Sequence, residues 1–206
     1  MNGSAAALSC GYARRPEVHG RRRSCRDRHV RRSRCAHDHA RHQLAHILLA
    51  LIYTYRQNYE LALGELDRAA KANPNHAGNH AERGWVLLAG GRSGDALAAL
   101  EEAVRFDPSP TPNTFSNLAM AYYLRDRYDD AVRTAQSAVG RYPHHVMLYI
   151  ALAAAYAETG QLDAAARAAE ELRRLHPFFE VESFGQVFRD PADRERFHES
   201  LRKAGL

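Results

Sequence analysis

Residues 112–145 read PNTFSNLAMAYYLRDRYDDAVRTAQSAVGRYPHH, and the sequence on both sides repeats this pattern every 34 or 35 residues. Within the stretch, small residues stand at the eighth, twentieth and twenty-seventh positions, and proline stands at the thirty-second. The four units are 43–76, 77–110, 112–145 and 146–179, with Thr111 as an extra residue between the second and the third. The residues that share these positions are Ala50, Gly84, Ala119 and Ala153; Ala62, Ala96, Ala131 and Ala165; Ala69, Ala103, Ala138 and Leu172; and Pro74, Pro108, Pro143 and Pro177.

Each unit predicts two amphipathic helices joined by a short turn. Apolar residues recur at helical spacing, as in Leu48, Leu49 and Ile52 of the first unit. Two antiparallel helices approach closely only where the side chains at their crossing are small, so we expect the eighth position to meet the twentieth and the twenty-seventh. The proline then prevents the second helix from continuing. The sequence therefore predicts an all-α chain of four helical hairpins.

A 34-residue period with small residues and a proline at these positions resembles the tetratricopeptide repeat, over residues 43–179. The resemblance implies a right-handed solenoid in which each unit packs on its neighbours. It also implies a non-catalytic scaffold whose first helices line a concave groove for a protein or peptide segment. Carried over by repeat position, the groove residues are Leu51, Tyr55, Trp85, Leu88, Asn113, Met120, Tyr123, Ile150 and Ala154.

Most of these groove residues are apolar or aromatic. Asn113 and Asn117 stand without the lysines and arginines of repeat domains that clamp a C-terminal carboxylate, so we expect no such clamp. Trp85 is the sharpest candidate for an anchor, because a buried aromatic side chain often dominates the energy of an interface. Its alternative role is to pack against the neighbouring repeat.

No catalytic, cofactor-binding or metal-binding residues are predicted. The sequence after Cys35 has no cysteine, no H-E-x-x-H, no G-x-x-x-x-G-K-[ST] and no G-x-S-x-G. The glycine-rich stretch 90–94 falls in the turn of the second repeat. The longest apolar run, residues 47–53, is far shorter than a membrane span, and no signal peptide is recognised, so we expect a cytoplasmic protein.

Residues 1–42 differ sharply in composition from the repeats. They hold eleven arginines, no lysine and three acids, and therefore carry a net charge of +8, whereas the whole chain carries +5. All three cysteines also lie there. Such a segment predicts a basic disordered arm. Sequence-independent binding of nucleic acid is an alternative function for it. A gene-start or reading-frame artefact is another interpretation, because arginine, histidine, serine and cysteine without lysine are typical of an alternate frame of GC-rich DNA.

Residues 180–206 predict a C-terminal capping segment. Asp190 is suited to an N-cap, Pro191 to the first helical turn and Gly205 to a helix stop, and Phe197 and Leu201 share one face. We expect this helix to cover the last repeat.

The stretches FRDPAD at 188–193 and LRKAGL at 201–206 resemble the C-terminus of bacterial proteins in which such repeats follow a class III adenylate or guanylate cyclase domain or a DNA-binding regulatory domain. The resemblance implies, as an alternative function, a severed regulatory module. The first repeat, by contrast, begins with apolar residues and no polar helix before them, so we expect self-association through it.

Overall fold

The computed structural model describes residues 41–206, and the arm predicted to be disordered lies almost wholly outside them. Within this range the chain is helical and contains no strand. A 3-10 turn spans Val181–Ser183. The helices are α1 (41–55), α2 (Tyr59–Ala72), α3 (Ala77–Ala89), α4 (Ser93–Phe106), α5 (Pro112–Leu124), α6 (Tyr128–Val139), α7 (Val146–Glu158), α8 (Leu162–Leu175) and α9 (Pro191–Lys203).

The first eight helices form four hairpins that stack in order. Within the hairpins α3 packs on α4, α5 on α6 and α7 on α8, and each second helix also packs on the first helix of the next hairpin. The first helices α3, α5 and α7 also pack on one another. In residues 41–206 the second helices make much less contact with each other. The stack therefore curves with the first helices on its inner side, which confirms the predicted all-α solenoid.

The small residues of the repeat pattern all lie at helix crossings. Every one of the eighth, twentieth and twenty-seventh positions is buried, including Leu172, the one large exception. Gly84 shows why size matters there, because a Cβ atom on this residue would lie 2.4 Å from Cγ of the buried Leu100 on α4. The crossing of α3 and α4 is thus set by the absence of a side chain.

Each first helix ends in the same hydrogen-bonded turn. The fifteenth residue of every repeat has a positive φ: Gln57 at 59°, Gly91 at 78°, Asp126 at 58° and Gly160 at 72°. The amide that follows it donates to the carbonyl five residues back, as Arg127 N does to Tyr122 O at 2.9 Å. This is a Schellman motif, which satisfies the free carbonyls of the helix end. Four identical turns therefore start the four second helices in the same direction.

The extra residue between the second and third repeats has a local role. Thr111 is the N-cap of α5, and its Oγ1 accepts a hydrogen bond from the amide of Thr114 at 3.3 Å. Pro112 follows at the first helical position, where its fixed φ suits the helix. The insertion is thus absorbed by a capped helix start.

A pair of glycine substitutions tests whether the crossing of α3 and α4 depends on size. Gly64 and Gly84 both lie inside helices, but a Cβ atom on Gly64 would meet nothing within 4 Å. Gly64→Ala gains helix propensity of up to about 1 kcal/mol. Gly84→Ala gains the same amount but overpacks Leu100, at a cost of about 1–3 kcal/mol. Urea unfolding should therefore show Gly84→Ala less stable than Gly64→Ala by about 1–3 kcal/mol, and equal stability would contradict this account of the crossing.

Candidate partner-binding groove

The inner face of the solenoid is partly covered by the C-terminal segment, residues 180–206. Its non-helical part, residues 184–190, contains a turn at 184–187 and runs from the last repeat to the first two. Tyr59 Oη donates to the carbonyl of Val187 at 2.6 Å, and Gln57 Nε2 donates to that of Gln186 at 3.0 Å. The amide of Arg189 donates to the carbonyl of Ala89, at the end of α3, at 2.7 Å. The main chain of this segment is therefore bound directly by the first two hairpins.

Aromatic side chains join the segment to the first helices. Phe188 meets Trp85 of α3 edge to face, with ring centroids 6.0 Å apart, and Phe184 lies 6.3 Å from Phe188 and 5.4 Å from Phe197. Phe197 in turn meets Tyr123 of α5 edge to face at 4.9 Å. Such pairs add about 0.5–1.5 kcal/mol each to the burial of the rings. The rings thus connect α3 to α5 through the C-terminal segment.

Helix α9 returns along α5 and α7, where a polar cluster holds it. Tyr123 Oη lies 2.6 Å from Ser200 Oγ, and the Ser200 hydroxyl donates to Glu158 Oε1 at 2.6 Å. Lys203 Nζ donates to the same carboxylate at 3.0 Å. Burial raises the pKa of Tyr123, so its hydroxyl keeps its proton. Partial burial by itself would raise the pKa of Glu158, but the hydrogen bonds from Ser200 and Lys203 hold it below its usual value.

Five of the nine predicted groove residues are buried: Leu88, Met120, Tyr123, Ile150 and Ala154. Leu88 and Met120 line a small cavity together with Phe188 and Phe197, and α9 packs against α7, which carries Ile150 and Ala154. Helix α9 thus packs on α7 of the last repeat, and residues 184–190 before it reach the first two hairpins. The inner face offers an apolar surface that spans three first helices, and the apolar side of the C-terminal segment is buried there.

The other four predicted residues line an open groove. Leu51 and Tyr55 of α1, Trp85 of α3 and Asn113 of α5 surround a space of about 290 Å³, and Tyr55 is 71% exposed. Glu82, Ser116, Asn117 and Met147 also line this space. We call these eight residues the open groove. Of the nine predicted groove residues, five are thus covered and four remain accessible.

Glu82 was missed because the sixth repeat position is not among those carried over from the family pattern. Asn117 occupies the same position in the third repeat and also lines the open groove. Including the sixth position in the sequence pattern would therefore have identified Glu82. Burial raises the pKa of Glu82. The open groove therefore combines aromatic and aliphatic surface with two side-chain amides and one partly desolvated carboxyl group.

Other kinds of site have little support in the described chain. Residues 41–206 contain no group of three or more histidine, cysteine, aspartate and glutamate side chains placed to hold a metal ion. None of the helices in that range is both long and apolar enough to cross a membrane.

Removing the Phe188 ring tests whether the C-terminal segment is bound where we describe it. Trp85 is the only tryptophan of the chain, so tryptophan emission comes from this one residue and responds to a change at its contact with Phe188. Phe188→Ala should move the Trp85 emission to longer wavelength, because water replaces the ring, and should lower stability by about 3 kcal/mol, as for other buried phenylalanines. Phe178→Ala is the matched control, since Phe178 is 89% exposed. An unchanged spectrum in Phe188→Ala would contradict the contact.

Comparisons with known proteins agree with this architecture. A family model described as tetratricopeptide repeat matches residues 47–109 and 117–178, together more than half of the chain. No curated protein shows significant sequence similarity to this chain.

Among solved structures, PilF of Pseudomonas aeruginosa is 19% identical, with a TM-score of 0.65 and coverage of 82% of this chain and 79% of that one. MamA is 21% identical, with a TM-score of 0.56 and coverage of 75% and 91%. YrrB, a TPR protein with an unusual peptide-binding site, is also 21% identical, with a TM-score of 0.54 and coverage of 77% and 82%. At these identities the likeness concerns the fold. The repeat pattern, the stacked hairpins and the family match together show that the chain belongs to the tetratricopeptide-repeat family.

Proposed function

We propose that this chain is a non-catalytic scaffold that binds an extended segment of a partner protein in the open groove. The observation that carries the proposal is the neighbouring stretch 186–189. This stretch follows a turn at Gly185 and lies at the edge of the inner face, where Gln57, Tyr59 and Ala89 hold two of its carbonyls and one of its amides. A surface that hydrogen-bonds the main chain of one segment outside the helices is suited to a second one beside it.

The composition of the open groove supports a polypeptide ligand. Trp85 and Tyr55 supply large aromatic surface, and the amides of Asn113 and Asn117 supply donors and acceptors that match a peptide main chain. Phe188 contacts Trp85 edge to face, so the tryptophan is positioned before a partner arrives. YrrB, which shares the fold, is itself described as peptide-binding. These features favour a protein partner over a small molecule.

Site-specific photo-crosslinking tests this proposal. A benzoylphenylalanine residue in place of Tyr55 should crosslink cellular polypeptides, because that side chain is exposed at the open groove. The same residue in place of Phe178, which is more exposed but lies outside the groove, should not capture the same polypeptides. Mass spectrometry identifies the products. The same set of adducts from both positions, or none from position 55, would contradict the proposed groove.

Self-association through the first repeat is a second candidate function. Leu44, Leu48, Ile52 and Leu61 expose about half of their side chains at the start of the solenoid. Ile52 is 49% exposed, whereas Val86, Ala121 and Ala155, at the same position of the later repeats, are fully buried. In those repeats the face of the first helix packs on the preceding hairpin. The face of α1 is therefore an interface that lacks its partner within residues 41–206.

A charge placed on that face should abolish the association. Ile52→Glu should weaken self-association at least tenfold, because a carboxylate would have to lose its water on contact. Leu162→Glu is the control, since Leu162 is 55% exposed at the other end of the solenoid. Sedimentation velocity of the full chain measures both. A wild-type chain that stays monomeric at tens of micromolar would overturn this second candidate.

The remaining two candidates have less support. Three of the residues that resemble the cyclase-associated C-terminus have structural roles in this chain: Phe188 contacts Trp85, Asp190 Oδ1 caps α9 by accepting from the amide of Ala192 at 2.8 Å, and Leu201 is buried. Packing accounts for these residues without a catalytic neighbour. Nucleic-acid binding through the arm concerns residues outside the described range.

A further inference from the structure

The open groove contains a single charged side chain. Its other seven residues are Leu51, Tyr55, Trp85, Asn113, Ser116, Asn117 and Met147, none of which carries a charge. Glu82 lies on α3, facing a groove whose walls come from α1 on one side and from α5 and α7 on the other. The groove therefore has one negative charge and no basic side chain of its own.

Three acidic residues on the neighbouring helices have partners. On α2, Glu65 Oε2 lies 2.7 Å from His46 Nδ1 and Asp67 accepts from Arg83, and on α4 Glu102 pairs with His80 at 3.1 Å. The carboxylate of Glu82, by contrast, makes no hydrogen bond or ion pair with any residue in 41–206. Glu82 is thus the one acid that lines the open groove, and no residue in 41–206 pairs with it.

Desolvation gives this carboxylate a preference among ligands. Burial raises the pKa of Glu82, which means that its ionised form is already partly deprived of water. A purely apolar segment in the groove would remove the remaining water and leave the charge without compensation. A cation would instead offset that cost, and the neighbouring Tyr55 and Trp85 rings are surfaces on which a guanidinium or ammonium group is also stabilised.

We propose that the segment bound in the open groove carries a lysine or arginine whose side chain pairs with Glu82, with apolar residues beside it against Leu51, Trp85 and Met147. The proposal rests on the proposed function, which requires a polypeptide in this groove, and adds the charge of that polypeptide. The proposal is carried by the juxtaposition, in a groove with no other charged lining residue, of two aromatic residues and one carboxylate that has no partner among residues 41–206.

Fluorescence anisotropy with four pools of octapeptides tests the proposal on the full chain. The central residue is arginine, lysine, citrulline or glutamate, and the other positions vary among leucine, alanine, serine and phenylalanine. Citrulline keeps the shape of arginine without its charge. The arginine and lysine pools should bind at least tenfold more tightly than the citrulline pool, and the glutamate pool most weakly.

Two substitutions assign that preference to one carboxylate. Glu82→Gln should reduce the preference for arginine over citrulline to less than twofold. Glu170→Gln, the same change at an exposed residue of α8, should leave it intact. A preference that survives Glu82→Gln overturns the proposal.

The outcomes separate this proposal from the proposed function. Equal binding of all four pools, with crosslinking at position 55, would sink the role of Glu82 and leave peptide binding in place. Failure of every pool to bind would sink both. If the wild-type chain is an oligomer and Glu82→Gln is a monomer, the groove binds arginines of a second copy of this chain. That result would overturn the proposal that the bound segment belongs to a different protein.

Discussion

The close approach of two helices at residues without large side chains is the constraint on which this structure depends. Alanine or glycine at the eighth and twentieth positions lets the two helices of each hairpin touch, and a Cβ atom on Gly84 would lie 2.4 Å from Cγ of Leu100. The four Schellman turns then start each second helix in the same direction. Because the first helices also pack on one another, they form a continuous inner face. The open groove and the covered part beside it both lie on that face.

The C-terminal segment changes what this inner face can do. It covers the part next to the interhelical turns, where Phe188 and Phe197 pack on α3 and α5, and it leaves the part lined by Leu51, Tyr55 and Trp85 open. The covered part is stabilised by apolar burial and by the cluster of Tyr123, Ser200 and Glu158. The open part of the inner face is therefore shorter than four repeats alone would provide.

The sequence predicted the hairpins well because their packing is local and repeats. Small residues at fixed spacing determine where two helices can cross, whatever lies around them. The Schellman turns were predictable as well, since Gly91 and Gly160 share one repeat position, although Gln57 and Asp126 at that position hide the pattern.

The place of the C-terminal segment was not predictable in the same way. An amphipathic helix with Phe197 and Leu201 on one face packs on any apolar surface of matching shape, and the choice between the end of α8 and the inner face depends on contacts 70 or more residues away, such as Arg196 with Asp126. For the same reason the sequence could not separate Leu88 and Met120, which are covered, from Tyr55, which is open. Glu82 became a candidate only when the groove walls were known.

The most direct test of the account is a set of nuclear Overhauser contacts in the full chain with selectively labelled aromatic rings. The structure places the rings of Tyr123 and Phe197 with centroids 4.9 Å apart. We predict strong cross-peaks between the two rings and between Trp85 and Phe188. Absence of these cross-peaks, with Phe197 in contact with side chains of α8 instead, would contradict a C-terminal segment bound across the inner face.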